Sequence, residues 1–262
     1  MDILAFQRAK AQHKKLTMVT CYDYAFASIL AQTEIDCLLV GDSVAMVYHG
    51  HPSTVHATVD MMALHTAAVA RGAGKKMVIS DLPFLSEWQG IDQAMQVVQR
   101  LMQAGAHAVK LEGVDGQEPL ITALVAAGVP VMGHLGLTPQ SVHQLGGHKV
   151  QCRDDEGAAR LSAQAKRLQA AGCFGVVLEC VPAHIAQAVT EQLAIPTIGI
   201  GAGASTDGQV LVLPDLLGLD PQFSPKLVKK YCQGFDVVSQ AVNTYVKEVQ
   251  HGIFPSDQHS YS

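Results

Sequence analysis

Eight short apolar runs recur along the 262 residues, and they constrain the fold more than any other feature of the sequence. They are Met18–Cys21, Cys37–Val40, Met77–Ile79, Ala108–Leu111, Val129–Met132, Val176–Leu178, Thr197–Ile200 and Val210–Leu213. Most are continuous rather than alternating, the pattern of parallel strands covered on both faces. Helical stripes lie between them. Val59, Met62, Ala63, Thr66 and Val69 share one face of 58–71, and Ile91, Met95, Val98 and Met102 share one face of 91–104, which Gly105 stops. Leu161, Ala165 and Leu168 mark 156–171, stopped by Gly172; Ile185, Val189 and Leu193 mark 182–193, opened by Pro182.

Eight strand signals alternating with helices predict an α/β protein, a (β/α)8 TIM barrel. An open doubly wound sheet is the alternative, because a sequence does not show whether the last strand pairs with the first. No Pro/Ser-rich linker divides the chain, so 1–262 reads as one barrel domain. The first 14 residues predict an extra N-terminal helix, 226–250 a long helix, and the polar end 254–262 a loop.

Composition narrows the partners. With 18 Lys+Arg against 23 Asp+Glu, the net charge of −5 argues against a nucleic-acid binder. The six cysteines show no CxxC spacing and read as reduced, mostly buried thiols. No apolar stretch is long enough for a membrane span, and the N-terminus lacks the apolar core of a signal peptide. The expectation is a cytoplasmic globular protein. Only 16% of residues are charged, which suggests that part of the surface is buried in a homo-oligomer.

In a parallel α/β fold, ligands bind at the C-terminal ends of the strands. Four runs finish near a carboxylate: Asp42 after the second, Asp81 after the third, Glu112 after the fourth and Glu179 after the sixth. A carboxylate there often caps the next helix or shapes a turn. Glu caps poorly, however, and four such acids at nearby strand ends point to a site. Converging acids repel and need a cation or raised pKa values. Asp42, Asp81 and Glu112 form an oxygen-rich set suited to a hard divalent ion such as Mg2+, directly or through water, and no His or thiolate cluster at that level favours zinc. Lys110 shares a strand face with Glu112. It reads either as a cation for a substrate carboxylate or carbonyl, or as the partner of a neighbouring strand acid. His134 after the fifth run is a substrate hydrogen-bond donor or a satisfied strand-end imidazole. The Gly199–Ser205 loop is an anion cradle or a tight turn.

These residues stand in longer motifs: Leu39-Val-Gly-Asp-Ser43, Ser80-Asp-Leu-Pro-Phe84, Val109-Lys-Leu-Glu-Gly113, Gly133-His-Leu-Gly-Leu-Thr-Pro-Gln140, Leu178-Glu-Cys-Val-Pro182 and Ile198-Gly-Ile-Gly-Ala-Gly203, then Asp207-Gly-Gln209. In that order they closely resemble the ketopantoate hydroxymethyltransferase family, from about residue 3 to the tail His259-Ser260-Tyr261. The resemblance implies a cytoplasmic (β/α)8 barrel, commonly a decamer in bacteria. It implies that Asp42, Asp81 and Glu112 surround Mg2+, that Asp42, Ser43, Asp81 and Lys110 contact a 2-oxo acid, and that Glu179 is the catalytic base. The chain departs from the family at Pro52, where Asp is usual, at Val55-His56, where Leu-Pro is common, and at Pro214, where many members have His.

The reaction so implied joins 3-methyl-2-oxobutanoate to the one-carbon unit of 5,10-methylenetetrahydrofolate, with Mg2+ and Lys110 stabilising the enolate that forms when C3 loses its proton. A competing reading is a barrel lyase or mutase of the phosphoenolpyruvate/pyruvate type. A third is a non-catalytic small-molecule binder, which the spare base Glu179 disfavours.

Overall fold

The computed structural model describes residues 2–147 and 149–261, so Ser262, the last residue of the polar tail, lies outside the described residues. The chain forms two compact units, Met1–Leu211 and Val212–Ser262. The first runs α1 (Ile3–Ala11), β1 (Leu16–Thr20), α2 (Tyr24–Leu30), β2 (Cys37–Val40), α3 (Val44–Val47), α4 (Val59–Gly72), β3 (Met77–Asp81), α5 (Ile91–Gln103) and β4 (Ala108–Glu112). It continues with α6 (Glu118–Ala126), β5 (Val131–Gly136), α7 (Val142–Leu145), α8 (Asp155–Ala171), β6 (Gly175–Glu179), α9 (Ala183–Gln192), β7 (Thr197–Ile200) and β8 (Gly208–Leu211). The second unit contains α10 (Leu213–Leu217) and α11 (Gly234–Gln250).

All eight strands are parallel and β1 pairs with both β2 and β8, which closes the barrel and removes the open-sheet alternative. Local chemistry fixes several helix ends. The side chains of Asp23, Thr58 and Asp154 accept from backbone N–H groups of Phe26, Met61 and Gly157 at the starts of α2, α4 and α8. Gly172 closes α8 in the left-handed conformation.

Strand periodicity sorts the barrel interior into layers. Met77, Ile79 and Asp81 alternate along β3, as do Ala108, Lys110 and Glu112 along β4, Met132 and His134 along β5, and Val177 and Glu179 along β6. The lower members of these series belong to one buried cluster with Leu16, Met18, Cys37, Leu39, Phe174, Ile198 and Val210. The extra N-terminal helix joins it from below: Phe6 and Ala9 are buried there, and Phe6 meets the Phe174 ring edge-on at 5.3 Å. Lys10 fixes that helix by donating to Asp207 Oδ2 at 2.8 Å and to the Thr190 carbonyl at 2.7 Å.

Several boundaries differ from expectation; β1 runs Leu16–Thr20 rather than Met18–Cys21, and β8 starts at Gly208 rather than Val210. The fifth run begins at Val129, but β5 starts at Val131, since Pro130 has no N–H for the ladder, and the strand continues to Gly136. The eighth strand ends at Leu211, because Leu213 already opens α10 with Pro214 in its first turn. The tail helix begins at Gly234 rather than 226: Tyr231 N–H is bound to the Leu216 carbonyl and Lys230 Nζ to the Asp220 carbonyl, which holds the preceding segment against α10. All six cysteines are unpaired; Cys21, Cys37 and Cys173 are buried, Cys152 and Cys180 half-buried, and Cys232 exposed.

Candidate active site

Strand register brings the acids together. Asp81 is level with Lys110, Glu112 with His134, and Gly136 with Glu179, so β3 to β6 deliver one charged layer at the C-terminal mouth. Asp42 lies just past β2, and its backbone N–H donates to Asp81 Oδ2 at 3.1 Å. Lys110 Nζ stands 3.1 Å from Asp81 Oδ1 and 3.3 Å from His134 Nδ1. His134 in turn stands 3.4 Å from Glu112 Oε1 through Nδ1 and 3.2 Å from Glu179 Oε2 through Nε2. The Glu179 side chain is 17% exposed, against 4% for that of His134, so it is the carboxylate of this chain of contacts that solvent reaches best.

Burial and mutual repulsion set the charges. Asp42 is raised well above the usual carboxylate range, first by loss of solvent and then by Asp81 and Glu112. Asp81 is raised by burial, with Lys110 opposing the shift. For Lys110, burial disfavours the charge, but Asp81, Glu112 and Asp42 outweigh it and hold the ammonium protonated. His134 follows the same logic. Burial and Lys110 push it toward neutrality, yet Glu112 and Glu179 lift it to about 9. Nδ1–H then faces Glu112 and Nε2–H faces Glu179, as contacts between opposite charges.

The sequence-predicted residues therefore meet. Asp42, Asp81, Lys110, Glu112 and Glu179 share one mouth, and Ser43 joins it through a 2.8 Å hydrogen bond between its hydroxyl and that of buried Tyr22. Lys110 has the neighbouring strand acid of the structural alternative, Asp81. In the Gly199–Ser205 loop, Gln209 Nε2 donates to the Gly203 carbonyl, and a Cβ on Gly203 would stand 2.5 Å from that of Ala183. Gly136 is equally constrained, since at φ +93° a Cβ would run into the Glu179 carbonyl.

Sequence reasoning gave no role to Gln140. Its Nε2 donates to Asp42 Oδ2 at 2.8 Å and to the Leu82 carbonyl at 2.9 Å, and its backbone N–H donates to Glu112 Oε2 at 3.0 Å. One residue after β5 thus braces acids from β2 and β4. Its position inside the Gly133–Gln140 motif was the available signal; that its amide reaches across the mouth is visible only in three dimensions.

No group of three or more His, Cys, Asp or Glu side chains forms a ready metal cage among the described residues. The donor chemistry nonetheless suits a hard cation. Asp81 Oδ1 is buried with no hydrogen bond, its contact with Lys110 being an ion pair only. The adjacent Asp42 and Asp81 gain from any positive charge placed between them and offer carboxylate oxygens alone.

A closed barrel with a charged layer of acids, a lysine and an imidazole at the C-terminal mouth defines a (β/α)8-barrel enzyme. Among solved structures, the fold is similar to 2,3-dimethylmalate lyase, a PEP mutase/isocitrate lyase superfamily member. The TM-score is 0.63 with 15% identity, covering 99% of this chain and 91% of that one. Residues 1–257 match the family described as ketopantoate hydroxymethyltransferase. The chain is 55% identical over 262 residues to the 3-methyl-2-oxobutanoate hydroxymethyltransferase of Legionella pneumophila (strain Paris), covering 100% of both. It is 56% identical over 260 residues to that of Bdellovibrio bacteriovorus, covering 99% of both. The chain belongs to the ketopantoate hydroxymethyltransferase family and is a transferase.

Proposed function

We propose that this enzyme transfers the one-carbon unit of 5,10-methylenetetrahydrofolate to C3 of 3-methyl-2-oxobutanoate and releases ketopantoate. The observation that carries the reading is Glu179: the carboxylate of the contact chain that solvent reaches best, held 3.2 Å from an imidazole that is itself tied to the buried acids. Family membership with relatives above 50% identity over the full chain supports the substrates.

Each residue then has a task. Asp42, Asp81 and Glu112 would hold Mg2+, directly or through water. When bound, Mg2+ supplies a Lewis acid for the oxo acid's carboxylate and ketone oxygens. Asp42, Ser43, Asp81 and Lys110 orient the oxo acid, and Lys110 places fixed positive charge where negative charge develops on the ketone oxygen. Glu179 accepts the C3 proton, and His134 holds its carboxylate in place. Water hydrolyses the methylene bridge of the folate, breaking both C–N bonds, so that tetrahydrofolate leaves with the protons on its nitrogens; the C3 carbanion adds to the formaldehyde so freed, and the alkoxide takes the proton back from Glu179 to give the hydroxymethyl group of ketopantoate. The apolar faces exposed on α11, with Phe235, Val238, Val242 and Tyr245 each more than 45% exposed, support a homo-oligomer, and the family resemblance would make it a cytoplasmic decamer.

The test is one assay. Incubation of 3-methyl-2-oxobutanoate and methylenetetrahydrofolate with the protein, with and without Mg2+, should give ketopantoate by mass only when all components are present. Turnover of the oxo acid without the folate would favour the lyase or mutase chemistry; binding without turnover would leave a binder.

A further inference from the structure

A second set of side chains borders the mouth on the loops after β3 and β4, and the steps assigned to the oxo acid leave it unused. Leu85 holds φ +59°, a left-handed conformation that branched side chains rarely adopt, and turns the chain into a short 3-10 segment, Ser86–Trp88. Glu87 in that segment is 8% exposed and makes no ion pair among the described residues; Ser86 Oγ, at 3.5 Å, is its side-chain partner. Burial first, with Glu112 adding repulsion, pushes its carboxyl up to about 7. On the loop after β4, Gln117 is 2% exposed and its Nε2 has no hydrogen-bond partner. A buried amide donor left unpaired is costly and calls for an explanation. Trp88 joins the two loops: its six-membered ring lies over Gly116, where a Cβ would come within 3.1 Å of Cη2, yet the residue remains 57% exposed. Phe84 and Leu85, 36% and 47% exposed, extend the apolar surface beside it.

These loops follow directly on Asp81 and Glu112, and Glu87 lies near enough to Glu112 and Lys110 to feel their charges, so the loops border the mouth where the oxo acid would bind. A pterin ring is a flat aromatic bicycle whose amino group and adjacent ring N–H form a donor pair for a carboxylate, and whose carbonyl accepts a hydrogen bond. It asks for a stacking face, a carboxylate and an amide donor, which are Trp88, Glu87 and Gln117.

We propose that the β3 and β4 loops form the docking site for the pterin ring of the one-carbon donor, with Trp88 as the stacking face, Glu87 accepting from the amino and ring N–H groups, and Gln117 Nε2 donating to the carbonyl. This rests on the reading of methylenetetrahydrofolate as the donor. Trp88 is the single tryptophan of the chain, so tryptophan emission, excited beyond the tyrosine absorption band, reports on it alone. Tetrahydrofolate titrated into the Mg2+-loaded protein should quench that emission saturably. Glu87→Gln and Trp88→Leu should each raise KM for methylenetetrahydrofolate about 10- to 100-fold, as expected for losing a hydrogen bond to a charged group or a stacked ring. Trp88→Phe should recover most of the loss. Solvent exchange of the oxo acid's C3 proton, which needs no folate, should stay within about twofold in all three. Unquenched emission at saturating tetrahydrofolate, or variants with unchanged KM for the donor, would overturn the docking site while leaving the reaction intact. A wild-type protein that forms no ketopantoate from this donor would overturn the reaction and the docking site together. Should a variant fail to fold, the wild-type fluorescence titration still decides.

Discussion

The floor and the mouth of this barrel are built on the same strands with the same periodicity, and they obey opposite rules. Along β3 the inward side chains read Met77, Ile79, Asp81, and along β4 they read Ala108, Lys110, Glu112. The floor is apolar, sealed by Phe6 and Ala9 of α1, and each buried group there lowers the free energy by leaving water. The mouth buries charge. Asp42 and Asp81 are both raised from their ordinary range by desolvation, and the charge of Lys110, the Gln140 amide bound to Asp42 and the Asp42 N–H bound to Asp81 offset only part of it. One region stabilises the fold; the other stores unfavourable charge that a cation and an anionic substrate can relieve. Two residues' distance along a strand separates the two roles.

The sharpest way to break that division is a pair of substitutions. Glu179→Gln keeps the shape of the mouth and removes the proton acceptor of the proposed reaction. Exchange of the C3 proton should fall about 10²- to 10⁴-fold, while binding of the oxo acid and the melting temperature change little. Near wild-type exchange, followed by deuterium incorporation, would remove Glu179 from that role. Phe6→Ala does the reverse. It opens a cavity beside Phe174 in the floor and should lower unfolding stability by about 3–5 kcal/mol in denaturant titrations, with exchange per folded molecule unchanged. A large loss of exchange in Phe6→Ala at full folding would show that floor and mouth are coupled.

The floor was more legible in the sequence than the mouth. All eight strands followed from continuous apolar runs, because a strand covered on both faces must be apolar at nearly every position. At two places where a run and its strand disagree, a proline is responsible: Pro130 delays β5, and Pro214 turns Leu213 into a helix start. The short helices α2, α3, α6 and α7 carry too few turns for a visible stripe. At the mouth, the strand-end rule located Asp42, Asp81, Glu112 and Glu179, since topology makes carboxylates far apart in sequence neighbours in space. It gave no means of finding Gln140 or Glu87. Gln140 acts through an amide that crosses from β5 to Asp42, and Glu87 is unusual only because the loop buries it. Such roles depend on tertiary environment, which residue type and spacing do not encode.

Asp42→Asn sharpens the comparison on the stability side. Neutralising a buried acid beside Asp81 and Glu112 removes repulsion, so the metal-free variant should be more stable than the wild type, by roughly 1 kcal/mol, within the range of other single stabilising changes. The same substitution should reduce or abolish the rise in melting temperature that Mg2+ gives the wild type. Thermal melts of both proteins with and without Mg2+ measure both effects. A less stable metal-free variant whose Mg2+ response is intact would refute the view that the mouth stores repulsion for a cation.

The smallest effect falls on the boundary between the regions. Tyr22 is fully buried, as a floor residue would be, yet its hydroxyl is bound to Ser43 at 2.8 Å, and burial raises its pKa far enough to keep the phenol protonated. Tyr22→Phe preserves the packing and deletes the hydroxyl's interactions with Ser43 and Thr20, with a net cost of about 1 kcal/mol each. If Ser43 contacts the oxo acid, the Ser43 part of that cost appears as a rise of a few-fold in KM for the oxo acid with kcat held, because the hydroxyl only orients Ser43. If Tyr22 serves packing alone, both constants stay at wild-type values and the loss registers only in the unfolding midpoint. Steady-state kinetics on the oxo acid, beside a denaturant titration of the same preparation, therefore assigns Tyr22 to the mouth or to the floor.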